Sequence, residues 1–270
     1  MSGDARSTRR PLVSGNWKMH HDHLAAIRTM SDLGLRLDPA AVANLDVSVH
    51  PPFCDLRSVQ TVVEDRAIPV LLGAQHCHPA DEGAYTGEIS PPMLARLGVS
   101  LVIVGHSERR QLFGQTDEVV AATLRAVLRH GMTPIVCVGE TAEERDRGVT
   151  AERLTAQVRA AFTKLPAAQA ATVVVAYEPI WAIGTGNTAT ADDAQQACAH
   201  IRAVLADTVG PDAAGAVRIQ YGGSVNADNT AELLTRPDVD GLLVGGASLQ
   251  AASFAAVVEA AVPVVRTLRR

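Results

Sequence analysis

Eight short apolar runs, alternating with segments of helical periodicity, constrain the fold of this chain more than any other feature. The runs are LVSGN (12–16), DVSVH (46–50), VLLGA (70–74), LVIVG (101–105), TPIVCV (133–138), TVVVAY (172–177), VRIQYG (217–222) and GLLVGG (241–246). Between them lie amphipathic stretches such as 117–131, DEVVAATLRAVLRHG, which opens with acids and closes with Arg129, His130 and Gly131. That order suits the helix dipole and a glycine stop. A second such stretch is 191–208, ADDAQQACAHIRAVLADT. Alternating strand and helix implies a parallel sheet covered by helices. Eight units in about 250 residues match a closed (β/α)8 barrel in count and size, with a doubly wound open sheet as the alternative.

At 270 residues and 47% hydrophobic content, the chain can bury one large core. No Pro/Gly/Ser-rich linker divides it, so a single barrel domain over 11–270 is expected. Residues 1–10, MSGDARSTRR, lack the apolar core of a secretory signal and read as a disordered tail. Aromatic residues make up 3%, which argues against base-stacking surfaces for nucleic acid, and a net charge of −5 leaves no basic field to hold DNA or an anionic membrane. The apolar stretches read as strand-sized or broken by charge, too short for a membrane span. Cys54, Cys77, Cys137 and Cys198 are scattered and form no CxxC pair, which fits reduced thiols and a cytoplasmic location.

In a parallel barrel the chemistry sits at the C-terminal ends of the strands. The sixth run ends directly in Glu178, followed by proline and a glycine-bearing segment, AYEPIWAIGTG (176–186). This is the layout of a general base beside a lid that excludes water. The first run leads into GNWKMH (15–20), placing Lys18 beside Asn16, a cation and an amide able to hold a developing oxyanion. Read alone, the same hexapeptide also fits a surface lysine next to a buried tryptophan. The fourth run leads into VGHSERR (104–110), where His106 at a strand end, with a helix starting behind it, is an acid/base candidate and Glu108 lies close by. Arg109 and Arg110 read as ion-pairing residues. Glycine pairs follow the seventh and eighth runs, YGGSV (221–225) and VGGASL (244–249). Backbone N–H groups there, with a short helix starting at Ala247 or Ser248, suit a phosphate. The clusters HHDH (20–23) and HCH (76–78) lack zinc spacing, so no metal is expected.

Taken together, GNWKM, PPF (51–53), GAYTGEIS (83–90), VGHSERR, CVGE (137–140), AYEPIWAIGTG, IQYGGSV and DGLLVGGASL resemble the triosephosphate isomerase family over nearly the whole chain. The resemblance implies a cofactor-free aldose–ketose isomerase of glycolysis and gluconeogenesis, interconverting dihydroxyacetone phosphate and D-glyceraldehyde 3-phosphate through an enediolate. A family member acting on a tetrulose phosphate is the alternative, and a noncatalytic phosphate-sugar sensor is a rival of another class. By resemblance, Glu178 is the base and His106 the neutral electrophile that shuttles protons between oxygens; this family is itself the standard example of that pairing. Lys18 and Asn16 stabilise the enediolate and Glu108 positions Lys18. Gly184, Ser224, Gly245 and Gly246 donate to the substrate phosphate, and Tyr221 latches a lid running from Pro179 to about Ala189. Family members form homodimers in which the GAYTGE loop enters the partner, so Thr86 is expected beside the neighbouring site, with His20 near the same contact. Two positions depart from the family pattern: His20 where asparagine is common, and Asn187 where lysine or arginine is common. The first bears on dimer strength and the second on lid kinetics. The HCHPADE loop (76–82) is also idiosyncratic.

Overall fold

Period-two alternation along each strand sorts side chains to two sides of a wall, and the wall closes. In the computed structural model, which describes residues 9–183 and 188–268, eight parallel strands form a closed barrel in chain order. They are β1 (Leu12–Asn16), β2 (Asp46–His50), β3 (Leu71–Ala74), β4 (Leu101–Val104), β5 (Thr133–Val138), β6 (Val174–Tyr177), β7 (Arg218–Tyr221) and β8 (Gly241–Val244). Closure comes from β1 pairing with β8, Leu12 against Gly241 through Gly15 against Val244. A side chain at Gly241 would put its Cβ 2.1 Å from the Leu12 carbonyl oxygen, so glycine is required at this seam.

Outward residues such as Val13, Val47, Val102, Val136, Val175 and Leu242 join the helices in the main core. Inward residues Leu101, Ile103, Ile135, Cys137, Val174, Ala176 and Leu243 form a separate apolar filling. Cys137 is thus a buried thiol, and all four cysteines are free. The two anticipated helices are observed at Asp117–Arg129 and Ala191–Val209. Thr116 caps the first, and a reciprocal Thr190–Asp193 capping box starts the second. Gly131, at φ 73°, takes the left-handed conformation that ends the first helix.

Two expectations need correction. Arg9 and Arg10 fall within the segment read as a tail, yet both are tied to the barrel floor. Arg9 is buried and pairs with Asp240 at 2.7 Å, while Arg10 pairs with Asp46. Asp240 also takes Arg202 at 2.7 Å and the Ile219 amide at 3.0 Å, which satisfies a buried carboxylate. Second, the C-terminal helix Ala251–Leu268 is, by length and composition, apolar enough to cross a membrane. Its apolarity has a local cause: Phe254, Val257, Val258, Ala261, Val262 and Val265 are buried in the barrel's core.

Candidate active site

The C-terminal strand ends open on a cleft of about 300 Å³ lined by Asn16, Lys18, His106, Glu178, Ile183, Gly222, Gly223, Leu243 and Gly245. Residues from β1, β4, β6, β7 and β8, separated by up to 229 positions in the chain, therefore meet in one place.

Glu178 follows β6 and is 2% exposed. Its carboxylate accepts from the Ser107 amide at 2.9 Å and the Ser107 hydroxyl at 3.3 Å, and lies 2.9 Å from His106 Nε2. Burial alone would raise its pKa, but the imidazole and the Ser107 amide outweigh that, and the net shift is downward. A carboxylate made more basic by a dry site is therefore not what this arrangement holds: here the base is docked and kept ionised by its donors. Glycine is obligatory opposite it, since a Cβ at Gly139 would fall 1.8 Å from the Glu178 carbonyl oxygen.

His106 caps the helix Ser107–Phe113, with Nδ1 accepting the Glu108 amide at 3.2 Å. A nitrogen that accepts carries no proton, so the neutral ring is the Nε2–H tautomer, directed at Glu178. Desolvation lowers the pKa of His106, but the adjacent Glu178 carboxylate raises it further, and the net direction is upward. Glu108 adds a smaller upward push of its own.

Lys18 has φ 51°, left-handed for a non-glycine residue, and three contacts hold it there. Its amide donates to Asn16 Oδ1 at 3.0 Å, its carbonyl accepts from Gln75 Nε2 at 2.7 Å, and its ammonium pairs with Glu108 at 2.6 Å.

The glycine loops line the cleft directly beside the charged groups: a Cβ on Gly222 would lie 3.2 Å from Glu178 Cγ, and one on Gly245 would lie 3.7 Å from Lys18 Cε. Gly245 lines it beside Gly222 and Gly223, whereas Ser224 and Gly246 lie outside the lining and are exposed. The short helix expected at Ala247 or Ser248 is a three-residue 3-10 turn, Gly246–Ser248, in which the Ser248 hydroxyl donates to Gly245 O at 2.7 Å. Tyr221 is fully buried, and its hydroxyl has no partner among the described residues. Gly184 and Asn187 lie outside the described residues.

Thr86 and His20 are exposed on this single chain and are not among the residues lining the cleft. A second, wider hollow of about 900 Å³ adjoins the site, lined by Met19, Phe53, Gln75, His76, Arg109 and Phe113 along with Asn16, Lys18, His106 and Glu108. Met19 is 94% and Phe113 66% exposed at its rim. Arg110 pairs with Asp117 at 2.6 Å, but Arg109 instead stacks on Phe113 at 4.7 Å. In the HCH cluster, His76 is buried between Glu88 and Gln115 and pushed down to about 3 by burial and the nearby Arg109. His78 stacks on Tyr85 at 3.9 Å.

Ser107, Gln75, Gly139 and Glu140 support the site but were not singled out from sequence. Ser107 had a visible signal, because the residue after a capping His supplies the first free amide of the helix. Glu140 accepts from the Tyr177 hydroxyl at 3.0 Å and Trp181 Nε1 at 2.8 Å, pinning the chain just beyond Glu178.

A sequence profile described as triosephosphate isomerase matches residues 11–261. The chain is similar to curated proteins of that name. With the one from Streptomyces coelicolor it is 50% identical over 252 residues, 93% of this chain and 98% of the relative. With the one from Chloroflexus aurantiacus it is 53% identical over 250 residues, again 93% and 98%. With the one from Nocardia farcinica it is 51% identical over 247 residues, 92% and 95%.

Proposed function

The chain belongs to the triosephosphate isomerase family, and on that premise we propose that it interconverts dihydroxyacetone phosphate and D-glyceraldehyde 3-phosphate through an enediolate, with no metal or organic cofactor. The observation that carries this reading is the meeting of Lys18, His106 and Glu178 on one cleft that glycine loops also line. The tetrulose phosphate alternative finds no support in the three relatives compared above, each named triosephosphate isomerase. Nor does a binding-only sensor account for a buried carboxylate facing an imidazole N–H.

Glu178 removes a proton from the carbon next to the carbonyl and returns it to the neighbouring carbon. His106 donates its Nε2 proton to one oxygen of the enediolate and takes a proton from the other. The imidazole N–H and the carboxylate now face each other at 2.9 Å, so a substrate oxygen that takes over the N–H bond lies beside the base. Charge that builds on oxygen is met by Lys18 and by the amide of Asn16. Glu108 holds the ammonium in place. The phosphate end takes backbone N–H groups of Gly245 and its neighbours, with Ser224, Gly246 and Gly184 completing the donors and Tyr221 latching the closed lid.

The working unit is a homodimer. The loop bearing Thr86 is exposed, and the wide hollow beside Lys18 has an exposed apolar rim suited to receiving that loop from a partner, with the exposed His20 expected near the same contact. Cytoplasmic location fits the four free cysteines. Turnover of glyceraldehyde 3-phosphate in deuterated water tests the reaction. Dihydroxyacetone phosphate carrying some solvent deuterium at the carbon next to the carbonyl is the expected product, and failure to form dihydroxyacetone phosphate overturns the reading.

A further inference from the structure

His50, at the end of β2, is fully buried inside the barrel, and the reaction as described does not use it. Its Nδ1 lies 3.1 Å from Ala74 O, and its Nε2 lies 3.1 Å from Ser48 Oγ. A carbonyl oxygen can only accept, so Nδ1 carries the proton. Desolvation lowers the imidazole pKa to about 4, which leaves it neutral, with a bare Nε2. Ser48 Oγ, which lies 3.1 Å from His50 Nε2, also lies 2.9 Å from Ser14 Oγ, and Gln220 Nε2 donates to Ser14 Oγ across 2.9 Å. One buried polar cluster thus runs from β7 through β1 and β2 to β3, beside an apolar filling drawn mostly from β4 to β6. The sequence makes room for it: a Cβ at Gly73 would sit 2.2 Å from the His50 ring.

The upper end of this cluster reaches the site. His50 O accepts from the Trp17 amide at 3.1 Å and from Gln75 Nε2 at 2.9 Å. The same Gln75 nitrogen donates to Lys18 O at 2.7 Å. The ring bond to Ala74 O fixes the residue just before Gln75. Lys18, two residues beyond the Asn16 that pairs in register with His50, sits in a backbone conformation that survives only where its surroundings over-determine it.

We propose that His50 is a positioning residue for Lys18, acting through Ala74 and Gln75 to hold the lysine in the left-handed conformation that presents its ammonium to the cleft. The proposal rests on Lys18 being the cation that stabilises the enediolate.

The test is steady-state kinetics and thermal unfolding of wild type, His50→Leu, His50→Asn, Lys18→Ala and the Lys18→Ala/His50→Leu double variant. Leucine fills the space but removes both ring bonds; asparagine keeps an N–H near the Nδ1 position. His50→Leu is expected to lower kcat/KM about 10- to 100-fold, chiefly through kcat, as displacements of about 1 Å do. His50→Asn should recover to within about threefold of wild type. Lys18→Ala should lose at least about 10²-fold, and His50→Leu should add less than about twofold on that background. Activity of His50→Leu within twofold of wild type, with Lys18→Ala inactive, overturns the role of His50 alone. An equal loss from His50→Leu with and without Lys18 also overturns it, since that marks a general packing defect. Wild-type activity in Lys18→Ala overturns the reading of Lys18 instead. If His50→Leu does not fold, ¹⁵N spectra of the wild-type imidazoles decide: protonated Nδ1 on His50 supports the proposal, and protonated Nε2 overturns it.

Discussion

Gly139→Ala is the perturbation that most directly probes how the barrel wall holds the base. Gly139 follows β5, and its added Cβ would lie 1.8 Å from Glu178 O, 2.8 Å from Glu178 C and 3.3 Å from Glu178 Cα. The first of these is more than 1 Å inside the 3.0 Å that real Cβ contacts respect. Neither partner is a flexible side-chain end. The obstacle is the backbone of the base itself, joined to β5 by the Glu178 amide donating to Val138 O at 2.8 Å. The strands must therefore separate, and Glu178 must shift by about 1 Å. A misplacement of that size costs on the order of 10²-fold in rate, equivalent to about 2.7 kcal/mol in the barrier. Overpacking of this kind also destabilises by about 1–3 kcal/mol, which lowers Tm by roughly 2–4 °C per kcal/mol in a chain of this size. Coupled steady-state assays and a thermal melt would be run on the same preparation. A folded Gly139→Ala enzyme with wild-type kcat would refute the idea that the β5–β6 seam sets the position of Glu178.

The remaining predictions follow from the docked site and the exposed hollow. In the free enzyme Glu178 is held below its ordinary value of 4.5 by His106 and Ser107, against burial, so its contribution to stability is present above about 4.5 and lost as pH falls through the lowered value. A ¹³C titration of its carboxyl carbon should show a midpoint below 4.5 or none before acid unfolding, and a midpoint above 5 contradicts the assignment. A dilution series followed by light scattering and activity should show specific activity falling as dimers dissociate; a monodisperse monomer with undiminished activity rules out an incomplete site. Exhaustive chelation should leave kcat unchanged, and loss restored by an added divalent cation would contradict cofactor-free catalysis.

Much of the fold was legible because its signals are local and repeat. Each strand is a short apolar run and the long helices carry recognisable ends, so the order of units follows from period and count, while closure of the sheet rests on the β1–β8 pairing. The principal side chains, Lys18, His106 and Glu178, were legible for a related reason: in a barrel of parallel strands, every strand end points to the same rim. Contacts between distant backbones were not legible. Nothing around Gly139 announces that the Glu178 carbonyl will lie against it, and nothing near Ser107 or Gln75 in sequence names the groups they will hold. Arg9 looked like part of a polar tail because Asp240, its partner, lies 231 residues away. The apolar C-terminal helix looked too broken to span a membrane, yet its charges fall only at Glu259 and Arg266, leaving a long face for the barrel. His50 was counted as the end of a strand, since a histidine in an apolar run gives no sign of the polar cluster that receives it.

The account depends above all on Glu178 being the group that moves the proton. Glu178→Gln preserves shape and the Ser107 contact while removing the basic oxygen, so it separates chemistry from binding. Measured on enzyme purified free of host isomerase, kcat should fall by about 10³-fold or more, while affinity for a phosphate-bearing competitive inhibitor stays within about threefold of wild type. Turnover within tenfold of wild type would contradict the assignment of the base and, with it, the mechanism.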